Sequence, residues 1–196
     1  MARANITDTT NDLIEDSGGV LWSLVQGEQL EFPINLNFLN KADPSYTFEA
    51  VLIEGNNDGE GNVPTEAQPT NPVKTVLEIK LPLDRGLWNT LTADYVMYDY
   101  VIDALGNYYL LYGVAAQGVE PRLDTDNWEA FTPNRIFLRF DETIGNTWAV
   151  QPGVDKPVYA FFELKVQEPV SASFRRTWKP VRGTLEIKYS PTHLVP

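Results

Sequence analysis

Apolar and polar residues alternate in short runs along the chain, and these runs predict β-strands. In the clearest run, at 30–38, the apolar positions are Leu30, Phe32, Ile34, Leu36 and Phe38. A period of two is typical of a strand that buries one face. Pro33 has no N–H to donate to a neighbouring strand, so we predict that this strand lies at a sheet edge or is bulged.

Further runs of this kind predict strands at 20–26, 46–54, 76–82, 135–140, 147–150, 157–166, 173–178 and 183–189. The segment Trp178-Lys179-Pro180, followed by Arg182-Gly183, is interpreted as a tight turn before the last strand. No stretch with helical periodicity exceeds about two turns, and turn signals separate the strands about every 8–15 residues. The pattern predicts an all-β fold of the β-sandwich class.

The stretch 95–131 is rich in tyrosine, with six of the nine in the chain, and it contains no His, Cys or Lys. We predict a small, aromatic-rich β unit at 88–132, inserted between two strands of the larger sandwich. The runs on either side, 76–82 and 135–140, both have strand character, and exposed loops tolerate insertions. The segments LDRGLWN and TPN would form the two joints.

A β unit of about 45 residues needs large aromatic side chains to build a core. The expected core members are Trp88, Tyr95, Tyr109 and Trp128. The remaining candidates for an exposed surface that contacts protein or glycan are Tyr98, Tyr100, Tyr108 and Tyr112. Aromatic residues are enriched at protein interfaces, and sugars stack on exposed rings. The simpler alternative is that all these rings only hold the unit together.

The net charge of −12 is unevenly distributed along the 196 residues. Residues 1–19 form a polar, acidic segment that we interpret as an N-terminal arm. From residue 170 onward, five basic residues and one acidic residue give +4. The candidate docking edge for another copy or an acidic neighbour consists of Arg175, Arg176, Lys179 and Arg182. The acidic body argues against nucleic-acid binding.

Composition removes several classes of chemistry. There is no cysteine, and His193 is the single histidine. Disulfides and thiolate sites are therefore excluded, and zinc or serine–histidine sites are disfavoured. The segment Asp124-Thr125-Asp126-Asn127 more simply forms a turn whose side chains cap backbone groups than part of a glycosidase pair, and the loop 55–72 does not match the EF-hand spacing. We therefore expect no enzyme activity and no metal or cofactor. We also expect no membrane insertion, because no apolar run is long enough to cross a bilayer.

Two segments carry a resemblance to known proteins. FRRTWKPVRGTLEIKYSPT near the end and GVLWSLVQGEQLEFPINLNFL near the start resemble structural proteins encoded in the tail-gene region of tailed phages, notably cyanophages. They are also similar to the immunoglobulin-like domain of phage baseplate upper proteins. This resemblance implies an immunoglobulin-like β-sandwich over 20–87 and 133–196. It also implies a virion protein made in the host cytoplasm.

The function implied by this resemblance is a non-enzymatic role in the tail, neck or baseplate region, in assembly or fibre attachment. The expected partners are other virion proteins of the tail, neck, fibre or capsid, and further copies of the chain in a homo-oligomer. A capsid decoration protein is the first alternative.

The aromatic stretch resembles the small chitin-binding modules of bacterial chitinases. Tyr95 is followed by Asp99 and Val101, then Gly106 and Tyr109, Pro121, and Trp128-Glu129. The chain departs from the pattern at Tyr98, where the modules have Gly, and at 110–112, where the sugar-stacking aromatic pair is replaced by Leu-Leu-Tyr. The resemblance implies the module's fold over 88–132, but it does not carry over the sugar-binding face. A host-glycan adhesin is the second alternative.

Overall fold

The computed structural model describes residues 20–25, 29–37, 39–42, 44–58, 60–62, 64–91, 94–114, 118–141, 143, 156–171 and 174–188; at 20–22, 169–171 and 174–181 it describes the backbone alone. The predicted arm at 1–19 and the predicted strand at 147–150 lie outside these residues. Where the chain is described, it forms strands and a 3₁₀ turn at Pro121–Leu123. The described residues contain no helix that is long and apolar enough to span a membrane.

Twelve strands are formed by the described residues. They are β1 (Val20–Val25), β2 (Leu30–Asn35), β3 (Thr47–Glu54), β4 (Lys74–Val76), β5 (Glu78–Lys80), β6 (Leu83–Leu87), β7 (Asp99–Ile102), β8 (Tyr108–Leu111), β9 (Trp128–Ala130), β10 (Arg135–Phe140), β11 (Val158–Ser171) and β12 (Phe174–Lys188). The predicted all-β, sandwich-type fold class is confirmed, whereas immunoglobulin-like connectivity stays a prediction.

The chain divides into two compact units. Unit 1 comprises Met1–Phe32, Ser45–Ile79 and Leu138–Pro196, and unit 2 comprises Pro33–Pro44 and Lys80–Phe137. The predicted insertion at 88–132 lies within unit 2, which also takes in 33–44, 80–87 and 133–137. A three-stranded sheet has the order β2–β10–β5. β2 is at the edge of this sheet, as Pro33 predicts.

Unit 1 contains a five-stranded sheet with the order β1–β12–β11–β3–β4. β11 and β3 are antiparallel, with Phe162 opposite Leu52 and Leu164 opposite Ala50. One face of this five-stranded sheet is buried, with the expected period of two along its strands. Its buried members are Leu24, Ala50, Leu52, Ala160, Phe162, Leu164, Val166, Leu185 and Ile187.

The two longest strands, β11 and β12, form an antiparallel hairpin within this sheet. The predicted turn at 178–183 is wrong, because β12 runs without a break from Phe174 to Lys188. The ladder shifts between Leu164↔Val181 and Val166↔Trp178, which leaves one extra residue on β12. Such a bulge accommodates a proline within a strand, so Pro180 bends the strand instead of ending it.

Unit 2 contains a four-stranded sheet with the order β6–β7–β8–β9. Its first strand, β6, was expected to be a joint, but it pairs in parallel with β7. The other neighbours are antiparallel, with Tyr100 opposite Leu110 and Leu111 opposite Trp128. The 83–87 segment therefore belongs to the sheet of the aromatic unit.

Both faces of this sheet are covered by side chains. One core consists of Val101, Leu111 and Trp128, with Trp88, Tyr95 and Tyr109 packed against it. These include all four aromatic residues that were expected in the core. A second core consists of Tyr100, Leu110, Phe131 and Phe137, with Tyr98, Tyr108 and Tyr112 packed against it. Because neighbouring residues of a strand point to opposite faces, the pairs Tyr100-Val101 and Leu110-Leu111 each supply both cores.

Candidate interaction surfaces

The four tyrosines predicted to form an exposed surface do not form one. Tyr100 is 1% exposed, so its predicted exposure is wrong. Tyr98, Tyr108 and Tyr112 are half-buried against the second core of unit 2. The physical reason is that this sheet buries both faces, whereas the prediction assumed one free face. Among the residues whose side chains the structure describes, no aromatic side chain is exposed.

The half-buried tyrosines are fixed by specific contacts. The Tyr112 hydroxyl donates to Glu129 Oε1 at 2.6 Å, and Arg135 donates to the same oxygen at 3.3 Å. The Tyr112 ring meets Phe137 edge-on at 6.1 Å, and Tyr98 packs on Phe137 at 5.6 Å between centroids. These rings are held inside the unit and offer little area for sugar stacking.

Lys41, Asp84 and Tyr100 form a polar cluster in unit 2. Lys41 Nζ is 2.5 Å from Asp84 Oδ2 and 5.9 Å from the centre of the Tyr100 ring. The Tyr100 hydroxyl is buried and has no partner at ordinary hydrogen-bond geometry in the described part of the chain, and it interacts with the nearby Lys41 and Asp84 side chains. Its pKa is raised to about 12 by burial, with the Asp84 carboxylate acting in the same direction and Lys41 opposing it.

Ionisation within this cluster is set by the close ion pair. The hydrogen bond to Asp84 raises the pKa of Lys41 above its usual value. Burial favours the neutral form of Asp84, but hydrogen bonds from Lys41 and the Gly86 N–H outweigh it, so the pKa of Asp84 is lowered. Both groups are therefore charged at neutral pH, and the cluster is a structural ion pair.

The carboxylates of unit 2 serve as local anchors. Asp99 is buried, and its Oδ2 accepts the Val96 N–H at 3.0 Å and lies 3.2 Å from Arg85 Nη1. Asp103 Oδ1 accepts from Leu105 N and Asn107 N, both at 2.8 Å, across the β7–β8 turn. Asn107 Nδ2 donates to the other oxygen at 3.0 Å, which is the main reason that the pKa of Asp103 is lowered.

The remaining acidic side chains near the aromatic stretch also have local partners or are exposed. Asp124 Oδ1 accepts from Asn127 Nδ2 at 2.7 Å, and Asp126 is exposed. Among the described residues, no group of three or more His, Cys, Asp or Glu side chains could hold a metal ion.

Unit 2 exposes aliphatic side chains that the sequence pattern did not indicate. Of the eleven exposed large apolar side chains among the described residues, all except Val73 and Val76 lie in unit 2. Five of them lie on β6 and on the loop that joins it to β7, and they are 47–83% exposed: Leu83, Leu87, Leu91, Val96 and Met97. We call this group the aliphatic edge of unit 2, because β6 is the outermost strand of its sheet.

The backbone beneath the aliphatic edge is well anchored. Asp99 holds both Arg85 of β6 and Val96 of the loop. The Tyr95 hydroxyl accepts the Asn89 N–H at 3.1 Å, and Arg85 lies 5.7 Å from the centre of the Tyr95 ring. These contacts tie the described parts of the loop to the sheet, so the backbone that carries the exposed aliphatic side chains is held in place.

A bulge in β6 determines where its two leucines lie. Gly86 has φ +73°, and one extra residue separates the register pairs Asp84↔Tyr100 and Leu87↔Ile102. Leu83 is therefore in register with Asp99, and Leu87 is in register with a residue on the opposite face. Bulges and charged residues on an edge strand discourage open-ended strand pairing. A partner at this edge would thus meet side chains on both sides of the strand.

The predicted docking edge lies on β12 of unit 1. Arg175, Arg176, Lys179 and Arg182 all fall within Phe174–Lys188. The Arg182 side chain is 60% exposed, and its Nε lies 3.1 Å from Glu163 Oε2. β1 pairs with β12 only from Gly183 onward. The four basic positions therefore lie on the half of β12 that β1 leaves uncovered.

No protein-family model matches the chain, and no curated protein matches its sequence.

Proposed function

We propose that the chain is a non-enzymatic structural protein of a phage virion, in the tail, neck or baseplate region, that acts in assembly or fibre attachment. The observation that carries the assembly role is the aliphatic edge of unit 2. Large apolar side chains that are exposed together on a surface mark protein interfaces, and five such side chains share β6 and the loop that follows it. The resemblance of the two sandwich segments to tail-region proteins supports the virion location.

The chemistry of the exposed side chains favours a protein partner over a glycan. Sugars bind to exposed aromatic rings, whereas the exposed large apolar side chains among the described residues of unit 2 are leucine, valine and methionine. Aliphatic side chains gain free energy when another apolar surface covers them, by about 25 cal/mol per Å². The occupant that we propose is a neighbouring copy of the chain, in a homo-oligomer whose interface buries at least about 1,000 Å².

Substitution of the most exposed leucines tests this role. The double variant Leu87→Ser/Leu91→Ser should stay folded, because both side chains are more than 70% exposed. Light scattering across protein concentrations should show that association through this edge begins at a concentration at least about tenfold higher. The reason is that burial of one leucine contributes about 1.5–3 kcal/mol. The matched control is Leu105→Ser/Leu123→Ser, which removes two equally exposed leucines away from β6. An unchanged mass in the first variant, or an equal loss in the control, would contradict the assignment.

The virion location has a separate test. An antibody against the purified chain should label density-purified particles of the phage that encodes it, at the tail, neck or baseplate in electron micrographs. Label on the capsid surface would instead support the decoration alternative. Absence of the chain from intact particles would overturn the virion assignment.

A further inference from the structure

The outer side of β12 is paired with β1 over only part of its length. On one side, β11 pairs with β12 along its length, and on the other side β1 pairs only from Val20↔Gly183 to Val25↔Lys188. In the described part of the chain, no strand pairs with the outer side of 174–182. A strand edge of this kind presents N–H and C=O groups that can pair with an added strand.

The composition of this uncovered stretch selects for an acidic partner. It contains Arg175, Arg176, Lys179 and Arg182, and there is no acidic residue between 170 and 185. Pro180 lacks an N–H, so the segment Phe174–Lys179 is the part that keeps its donors. Three of the four basic residues fall within that segment. The edge therefore fits an extended peptide strand that carries several carboxylates.

The chain itself contains a segment of this chemistry. Residues 8–16, DTTNDLIED, hold four carboxylates and no basic residue. The link to β1 is Ser17-Gly18-Gly19, a composition typical of flexible linkers. Glycine also weakens strands, so a straight extension of β1 through Gly18 and Gly19 is disfavoured. A link of this composition would let the segment reach a neighbouring molecule.

We propose that residues 8–16 of a second copy pair as an added strand with the basic edge of β12, at Phe174–Lys179. The charges are complementary, because the added strand carries four carboxylates and the paired segment of β12 carries three basic residues. The same surface is repeated on every copy, so exchanged segments can close a symmetric dimer. This contact goes beyond the aliphatic edge of unit 2 and does not depend on it.

Reversing the charges on each partner in turn tests this contact. The parent chain for these variants is Leu87→Ser/Leu91→Ser, so that the aliphatic edge does not contribute to association. One variant carries Arg175→Glu/Arg176→Glu/Lys179→Glu, and the other carries Asp8→Lys/Asp12→Lys/Asp16→Lys. Each variant alone places like charges on both partners. We expect each to raise the apparent Kd of the dimer by about tenfold or more relative to its parent, since several ion pairs change sign.

Mixing distinguishes exchange between copies from other effects. In a 1:1 mixture, each segment meets an edge of opposite charge, so we expect the dimer to return, and we expect it also in a chain that carries both sets of changes. A synthetic peptide of residues 8–16 should dissociate the parent dimer, whereas its Asp→Asn counterpart should do so less.

A parent that stays monomeric at all concentrations, or a mixture whose mass equals the mean of its components, would overturn the proposal. Because the aliphatic edge is already disabled in these chains, neither result would bear on the proposed function.

Discussion

Two tyrosine hydroxyls in unit 2 lie in opposite situations, and this gives a matched pair of substitutions. Tyr112 donates to Glu129 at 2.6 Å, whereas the buried Tyr100 hydroxyl has no partner at ordinary hydrogen-bond geometry among the described residues. We expect Tyr112→Phe to lower the free energy of unfolding by about 1 kcal/mol through the lost hydrogen bond. Tyr100→Phe should leave it unchanged or raise it, because a buried unpaired hydroxyl is removed. Urea unfolding at neutral pH measures both; a larger loss in Tyr100→Phe would mean that this hydroxyl has a partner after all.

At the residue scale, the sequence predicted the first core of unit 2 but not the second. Trp88, Tyr95, Tyr109 and Trp128 were expected to be buried together, and they are. Tyr100 was expected on a free face because alternation along a strand separates two faces without saying whether both are covered. Burial of the second face depends on Phe131 and Phe137, which lie outside the strands that carry the alternation of Tyr100 and Leu110.

At the element scale, the β7–β8 hairpin depends on one carboxylate. Asp103 accepts two backbone N–H groups and the Asn107 amide. Asp103→Ala should lower the thermal midpoint more than Asp103→Asn, which keeps an acceptor oxygen for the backbone N–H groups. A larger loss in Asp103→Asn than in Asp103→Ala would contradict this role.

The same carboxylate gives the hairpin a pH dependence of known sign. The Asn107 hydrogen bond lowers the pKa of Asp103 below its ordinary value of 3.8. Its ionised form therefore stabilises the fold above that value, and this contribution is lost as the pH falls through the folded pKa. The difference in midpoint between the native chain and Asp103→Asn should shrink in acid, and a difference that stayed constant would mean that the charge contributes nothing.

Strand existence was more predictable than strand continuity. The segments at 46–54 and 135–140 were predicted within one residue of β3 and β10. β12 was broken into two strands because Pro180 and Gly183 are turn signals in isolation, whereas a bulge opposite β11 absorbs the extra residue. β6 was missed because LDRGL is mostly exposed and so lacks alternation. Its strand conformation comes from pairing with β7, a tertiary effect that local pattern does not carry.

At the scale of the whole molecule, the two proposed contacts differ in their physical basis. The basic edge of β12 was visible in the sequence as a charge cluster, whereas the aliphatic edge was not, because burial decides which leucines are exposed. Leu110 and Leu111 are buried while Leu87 and Leu91 are exposed, with nothing in composition to separate them. One contact would be driven by apolar burial and the other by opposite charges.

The two contacts should therefore respond to salt concentration in different directions. The net charge of −12 makes copies repel one another, and the Debye length falls from about 10 Å at 0.1 M to about 3 Å at 1 M salt. In a chain with Arg175→Glu/Arg176→Glu/Lys179→Glu, only the aliphatic edge should associate, and light scattering should show a mass that rises or holds as salt increases. In Leu87→Ser/Leu91→Ser, the mass should fall over the same range, because screening weakens the pairing of the acidic segment with β12. If both variants responded to salt with the same sign, one driving force would account for both contacts, and the division into an apolar and a charged interface would fail.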